Sequence, residues 1–362
     1  MEISKVIDAF KVKSSYKSHE QLLAGHINIT LLVTLQNDEK YILQRMNKYV
    51  FKNPVELMEN IINVTKFMKK KYQEENKDYN RYVLDFVKAK TGNYYYKDDE
   101  DEYWRMYHYI DNSDTYYAAD KLEILFETGK AFGSFQRYLS DFDASLLHET
   151  IPNFHNTIER YKNLKASAKI DKMHRFSSIK ELYDEFLLLE PLACKMTVML
   201  NDGLLPLRVT HNDTKCNNVL IDNETNKALA VIDLDTIMPG LSGFDFGDSI
   251  RSGTAKAKED EENPDLIGCD VAKFEAYARG FLSVTKNALT KNEIDTLVLG
   301  AFNMTIEVGV RFLTDYLDGD VYFHTSKVNH NLIRAKNQLA MAKDILRKSD
   351  QLDAIIAKII NE

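Results

Sequence analysis

Apolar residues come in short alternating or aliphatic runs over the first third of the chain and recur at helical spacing over most of the rest. Residues 22–35, Leu-Leu-Ala-Gly-His-Ile-Asn-Ile-Thr-Leu-Leu-Val-Thr-Leu, read as strand, glycine turn, strand. Asn37-Asp38 makes the next turn and Lys40–Met46 a third strand. Asn53-Pro54, followed by Glu56 and Glu59, is a helix start, since proline suits the first helical position and acids suit the first turns. Residues 83–87 and 103–110 predict two more strands around a polar turn at 97–102. From Ser113 the pattern becomes helical, as in Leu122, Leu125, Phe126, Ala131, Phe132 and Phe135, and predicts helices over 122–139, 177–201, 271–289, 293–316 and 328–360. One hairpin interrupts them: Val219-Leu-Ile221, an Asx-rich turn over 222–226, and a return strand over 228–232. The expected architecture is α+β. A small lobe of antiparallel strands plus one helix occupies residues 1–111, and a large, mostly helical lobe occupies 112–362.

Composition narrows this picture. A chain of 362 residues, 44% hydrophobic, is long enough for two lobes, and 14 Gly with 6 Pro leave little room for linkers. A net charge of −8 argues against a general binder of nucleic acid or anionic membrane, which needs a basic face. The three cysteines form no C-x-x-C pair and fit reduced thiols of a cytoplasmic protein better than a disulfide framework. Residues 1–10 contain no apolar signal core, and no uninterrupted apolar run predicts a membrane span. The charged stretch 256–264 reads as a solvated loop.

The candidate chemistry flanks the hairpin. His211-Asn-Asp213-Thr-Lys-Cys-Asn-Asn218 has the His-x-Asp-x-x-x-x-Asn spacing of a kinase catalytic loop, in which the Asp accepts the proton of the attacking hydroxyl and the Asn binds metal. The return strand ends in Val231-Ile-Asp233-Leu-Asp235, a carboxylate where Mg²⁺ bridging nucleotide phosphates needs an oxygen. A hairpin returns the chain to its start, so Asn218 and Asp233 are expected as neighbours with Asp213 beside them. That order and spacing indicate phosphotransferase chemistry, with Asp213 catalytic and Asn218 and Asp233 on the metal. Asp245-Phe-Gly247 spells the protein-kinase metal motif but follows the Pro239-Gly240 turn, not the return strand. Asp245 and Asp248 are therefore read as carboxylates that orient the loop or cap the following helix. Asp235 is a supporting residue, and His211 buttresses the loop in preference to moving protons. Cys216, at an x position, serves packing. Tyr103, Trp104, Tyr107 and Tyr109 alternate faces on one strand, which favours core or hinge packing over sugar stacking. Tyr107 and Tyr109 are counted on the nucleotide side.

The loop and the Ile-Asp pair resemble those of the aminoglycoside phosphotransferase and choline kinase superfamily. More narrowly, residues 211–218, 231–236 with 238–241, 246–251, 24–28, 42–45, 151–155 and 311–316 resemble the N-acetylhexosamine 1-kinases. The resemblance implies a protein-kinase-like two-lobe fold. It also implies ATP- and Mg²⁺-dependent phosphorylation of the anomeric hydroxyl of N-acetylglucosamine or N-acetylgalactosamine, so that the partners are a sugar and a nucleotide. By the same likeness Arg311 contacts the sugar with Tyr322 in the same region, and Gly25 and His26 lie near the phosphates or sugar. One departure stands out: no Lys occupies the third-strand position that pairs the α- and β-phosphates. Leu43 and Arg45 share a strand face, so Arg45 is the expected substitute, with Glu59 or Glu56 as its partner. Arg311 also has a plainer reading as a helix-surface pair with Glu307, four residues earlier. Two alternatives stay open: a kinase of another small-molecule hydroxyl, of aminoglycoside, choline or homoserine type, and a pseudokinase-like binding module, against which the intact Asp213, Asn218 and Asp233 speak. A protein kinase is disfavoured, because no Ala-Pro-Glu segment follows Asp233.

Overall fold

The computed structural model describes residues 2–22, 27–116 and 121–362, so Gly25 and His26 lie outside the described residues. The chain forms two compact units. The first comprises Met1–Asp114, Asp141–Pro152 and Leu220–Pro239; the second comprises Thr115–Ser140, Asn153–Val219 and Gly240–Glu362. Compactness thus groups the chain differently from a single cut at 111/112, because the hairpin folds with the N-terminal unit.

In the first unit a short helix α1 (Ile3–Asp8) precedes strands β1 (Tyr16–Leu22), β2 (Ile29–Leu35) and β3 (Lys40–Met46). Helix α2 (Pro54–Glu74) and strands β4 (Tyr96–Lys97) and β5 (Tyr103–His108) follow, and the sheet has the antiparallel order β1-β2-β3-β5-β4. Strand alternation assigns the faces. Leu31, Val33, Leu43, Trp104 and Met106 pack with Val6, Ile7 and Phe10 in one core, whereas Gln44, paired in register with Arg105, points to the other side. Strand β1 is polar and exposed over Lys17–Gln21, as an edge strand can be, so its position before Leu22 carries no apolar signal. Residues 83–87 do not form the expected strand; they touch β5 through the single bridge Phe86↔Tyr107, and Tyr96–Lys97 supplies the fifth strand. Helix α2 begins as expected, with the Asn53 side chain accepting from Glu56 N–H and Pro54 at its first position.

The hairpin joins this unit through its own sheet, in which β7 (Val219–Asp222) lies between β6 (Ser113–Asp114) and β8 (Ala228–Val231). Arg81 donates to Asp222 and to the Asp111 carbonyl, both at 2.7 Å. Asn60 of α2 donates to the Ile237 carbonyl at 3.0 Å, which fastens the chain just beyond Asp235.

The second unit is helical: α3 (Leu122–Tyr138), α4 (Thr157–Ile170), α5 (Lys180–Ala193), α6 (Lys195–Asn201), α7 (Ser242–Gly253), α8 (Val271–Thr285), α9 (Lys291–Asp295), α10 (Leu297–Asp318), α11 (His330–Arg347) and α12 (Ser349–Asn361). Three expected long helices are each broken, at Cys194, Thr296 and Lys348, where ψ rises to between −6° and 6°. Apolar periodicity continues across each break, so pattern alone joins the pieces. Helix α4 escapes pattern reading because its buried face mixes Thr157 and Ser167 with Tyr161, Leu164 and Ala168. Helix α10 is long and apolar enough to cross a membrane, yet 83% of its apolar window is buried inside the protein. A Cβ at Gly247 of α7 would stand 2.2 Å from the Gly300 carbonyl oxygen of α10. This backbone-to-backbone contact holds α7 in place, and α7 in turn packs on the turn at Cys216–Asn218.

Candidate active site

In the second unit the strand Arg208–Thr210 delivers the chain to His211, and a 3₁₀ turn at Cys216–Asn218 ends the loop. Asn212 has a φ of 65°, a left-handed conformation that Asn tolerates. Asp245 and Asp248 lie within α7, not ahead of a helix, and both hold the loop. Asp245 accepts from the backbone N–H of His211 at 2.9 Å and of Asn212 at 2.8 Å, and from the Gln136 amide at 2.7 Å. Asp248 accepts from Thr214 N–H at 3.0 Å and from Arg251. Burial raises the Asp245 carboxyl above its ordinary range. Burial acts the same way on Asp248, but the Arg251 and Lys215 charges overcome it and hold that carboxyl low. His211 is fully buried, with its ring against the edges of Phe132 and Phe135 at 5.5 and 6.0 Å.

Asp213, by contrast, keeps 27% of its side chain exposed. Asn218 Nδ2 donates to its backbone carbonyl at 2.8 Å and its carboxylate at 3.2 Å, and Lys215 Nζ stands 2.8 Å from Oδ1. Burial works against the Lys215 ammonium, but Asp213 and Asp248 more than offset it, so the lysine stays charged. Sequence reasoning passed over Lys215; its place two residues after the candidate base was the available signal. Burial pushes the thiols of Cys194, Cys216 and Cys269 up to about 11, which suits packing and not nucleophilic chemistry.

In the first unit Asp233 ends the return strand with a φ of 58°, and Asp235 follows in a 3₁₀ turn. Asp235 is buried and accepts from Arg105 and from the Asn28 amide. Arg105 Nε also donates to Gln44 at 2.9 Å, and Gln44 donates to Thr30 at 3.1 Å. Burial opposes the Arg105 charge, and Asp235 outweighs it. Tyr107 shares the Arg105 face; burial, then the Asp233 and Asp235 carboxylates, push its phenol upward. Tyr109 follows β5 with Lys40 Nζ 6.0 Å above its ring. Trp104 belongs to the core and donates to Asp98 at 2.7 Å.

Arg45 pairs in register with Trp104, on the side opposite Gln44 and Arg105, and lines a cavity of about 200 Å³ with His19, Asp98, Glu100 and Glu102. Glu59 instead meets His148 at 2.8 Å, and no carboxylate is within ion-pair distance of Arg45 among the described residues. Strand alternation sets Arg45 on the Leu43 face, as expected, and the cation facing Asp235 comes from β5.

Among the described residues no group of three or more His, Cys, Asp or Glu is arranged to cage a metal ion. Mg²⁺ typically takes one or two protein oxygens and fills its octahedron with water and phosphate. In the second unit the Asn218 amide nitrogen faces Asp213, which leaves its Oδ1 as an oxygen of that kind; in the first unit the Asp235 carboxylate is engaged by Arg105 and Asn28.

On α10 the expected Glu307–Arg311 surface pair is absent. Glu307 is fully buried, 2.9 Å from His155 Nδ1 and accepting from the Thr157 hydroxyl at 2.7 Å. His155 Nε2 lies 3.2 Å from the Asn212 carbonyl oxygen, which ties α10 to the loop. Arg311 donates to the Tyr322 hydroxyl at 3.4 Å and sits over the rings of Phe154, Tyr322 and Phe323 at 5.7, 5.6 and 5.3 Å.

A family model described as the phosphotransferase enzyme family matches residues 18–277, and the chain belongs to that family. Its protein-kinase-like fold recurs in solved structures. An aminoglycoside phosphotransferase from Alicyclobacillus acidocaldarius superposes with a TM-score of 0.61 at 11% identity, over 99% of this chain and 95% of that one. A microcompartment-associated aminopropanol kinase gives 0.58 at 13%, over 97% and 98%. A choline kinase from Cryptosporidium parvum gives 0.55 at 16%, over 97% and 95%. At these identities the likeness is one of fold.

Proposed function

We propose that this phosphotransferase is a kinase that moves the γ-phosphoryl group of ATP to the anomeric hydroxyl of an N-acetylhexosamine, giving the sugar 1-phosphate. The observation that carries the acceptor assignment is Arg311, over three aromatic rings in the same unit as Asp213 and without a carboxylate partner among the described residues. A cation there suits a neutral, oxygen-rich acceptor and repels an ammonium group. That argues against the choline and aminoglycoside alternatives, whose acceptors are positively charged.

Asp213 takes the proton of the sugar hydroxyl as its oxygen bonds to the γ-phosphorus and the bond to the bridging oxygen of ADP breaks. Asn218 and Lys215 hold the Asp213 carboxylate in one orientation. Mg²⁺, held by Asn218 and Asp233, would neutralise charge on the phosphate oxygens.

An ADP-release assay over hexoses, N-acetylhexosamines, aminoglycosides and choline identifies the acceptor. Phosphorus NMR before and after brief acid treatment then decides the position, because a glycosyl phosphate hydrolyses through an oxocarbenium-like route whereas a 6-phosphate persists. An acid-stable ester, or no phosphorylation of either N-acetylhexosamine, overturns the reading.

A further inference from the structure

The charged stretch 256–264 is exposed over most of its length, yet it is tied down at base and crest. The Ala255↔Cys269 bridge closes its base, with the Lys256 N–H donating to the Gly268 carbonyl at 3.0 Å. Its crest is held from α11, where the Asn337 amide donates to the Lys258 and Glu261 carbonyls at 3.0 and 3.2 Å. Glu259 stands between those two carbonyls, and its carboxylate turns inward. One oxygen is 3.1 Å from Arg251 Nη1 and the other 3.7 Å from Arg334 Nε of α11. Arg251, buried on α7, presents Nε and Nη2 to Asp248 Oδ1 at 3.1 and 2.9 Å. Asp248 Oδ2 in turn takes the Thr214 N–H at 3.0 Å.

Opposite charges therefore alternate from α11 to the catalytic loop, through Arg334, Glu259, Arg251, Asp248, Lys215 and Asp213. A guanidinium is planar, so a carboxylate on either side fixes the plane of Arg251 and with it the carboxylate of Asp248. Charge balance acts along the same line. Burial and the Arg251 charge oppose the Lys215 ammonium, Asp213 and Asp248 favour it, and Glu259 offsets Arg251. The Thr214 hydroxyl and carbonyl are bonded separately, to the Asp245 carbonyl and the Ser249 hydroxyl, so it is the N–H that depends on Asp248.

We propose that Glu259 is a positioning residue: it seats Arg251 on Asp248 and, through Asp248 and Lys215, keeps the Asp213 carboxylate in its working orientation. This role rests on the reading of Asp213 as the base. It gives the charged stretch a task in turnover that a solvated loop does not have.

Glu259→Gln keeps the shape and removes the charge at a side chain 40% exposed, so the full chain should still fold. Glu262→Gln is the control: it removes the same charge from the same stretch, where the ion-pair neighbour is Lys327 at 3.9 Å and not Arg251. Hydrogen exchange of the Thr214 amide reads the Asp248 bond directly and needs no acceptor. It should quicken about three- to tenfold in Glu259→Gln, the scale of a half-exposed charged hydrogen bond, and stay unchanged in Glu262→Gln. In ADP release, on whichever acceptor is turned over, kcat should fall about threefold or more in Glu259→Gln while the KM values for ATP and acceptor stay within about twofold. Made on Lys215→Met, the same substitution should lower kcat hardly at all, because the route to Asp213 is already cut; a merely structural loss would repeat in full. Unchanged Thr214 exchange, equal exchange in the two Gln variants, faster exchange without a loss of kcat, or an equal kcat loss with and without Lys215 overturns the role of Glu259. If no acceptor is turned over, the Thr214 amide alone decides. Failure of the base reading shows separately, as kcat retained in Asp213→Asn.

Discussion

Replacing Arg105 by methionine keeps an apolar stem of similar length and removes the guanidinium. In the folded protein Asp235, 4% exposed, would then be left with the Asn28 amide alone, and Gln44 would lose its donor at 2.9 Å. Removing one partner of a buried ion pair costs about 3–5 kcal/mol, because the remaining charge stays out of water without compensation. That is a large share of the roughly 5–15 kcal/mol that holds a typical domain. Removing both charges is a different matter. A well-packed apolar pair is often as stable as a buried ion pair, so Arg105→Met with Asp235→Leu should recover most of the loss. Urea unfolding of the wild type, both single variants and the double variant gives the coupling energy, expected at about 2 kcal/mol or more for groups in direct contact. Titration with ATP and with adenosine adds a functional reading: if Arg105 also faces phosphate, ATP affinity falls more than adenosine affinity. An Arg105→Met protein within about 1 kcal/mol of the wild type would refute the argument that this pair anchors the turn carrying Asp233 and Asp235.

Asp213→Asn should lower kcat by about 10²–10⁴-fold, the usual contribution of a general base, while the ATP Kd changes little; retention of a tenth of kcat or more rules out the base role. Asp222 yields a pH prediction. The Thr225 backbone N–H, then the Arg81 guanidinium, hold its carboxyl down at about 2. A folded pKa below the unfolded value of about 3.9 gives stability that is complete above about pH 4 and lost as pH falls towards 2. The stability of Asp222→Asn should therefore depend less on pH over that window, and an unchanged acid-unfolding profile would remove Asp222 as the cause.

Local signals read the elements well where one face is clearly apolar. Helix α2 was announced by Asn53, Pro54 and Glu56, and the hairpin by two aliphatic runs around an Asx-rich turn, because each is specified by neighbours in sequence. Strand β1 was missed because an exposed edge needs no apolar residues, and the breaks at Cys194, Thr296 and Lys348 because apolar spacing says nothing about a local change in ψ. In the candidate site the residue types were visible but their faces were not. Gln44 and Arg45 are adjacent, and only the register with Arg105 and Trp104 shows which of them faces Asp235.

Two carboxylates in the candidate site are paired by residues far along the chain. Helix spacing offered Arg311 a plainer partner in Glu307, four residues earlier, and that pair does not form. His155, 152 residues before Glu307, draws that carboxylate inward, and Arg105, 130 residues before Asp235, neutralises that one. A nearby i,i+4 pair on a helix contributes only about 0.2–0.5 kcal/mol, whereas leaving a buried carboxylate unpaired costs several times as much, so the long-range pairing wins. The outcome bears on the proposed acceptor, because it leaves Arg311 on α10 without a carboxylate partner among the described residues. On that proposal the site selects by rejection as well as attraction: an acceptor bearing an ammonium group meets like charge there, and one offering an oxygen does not.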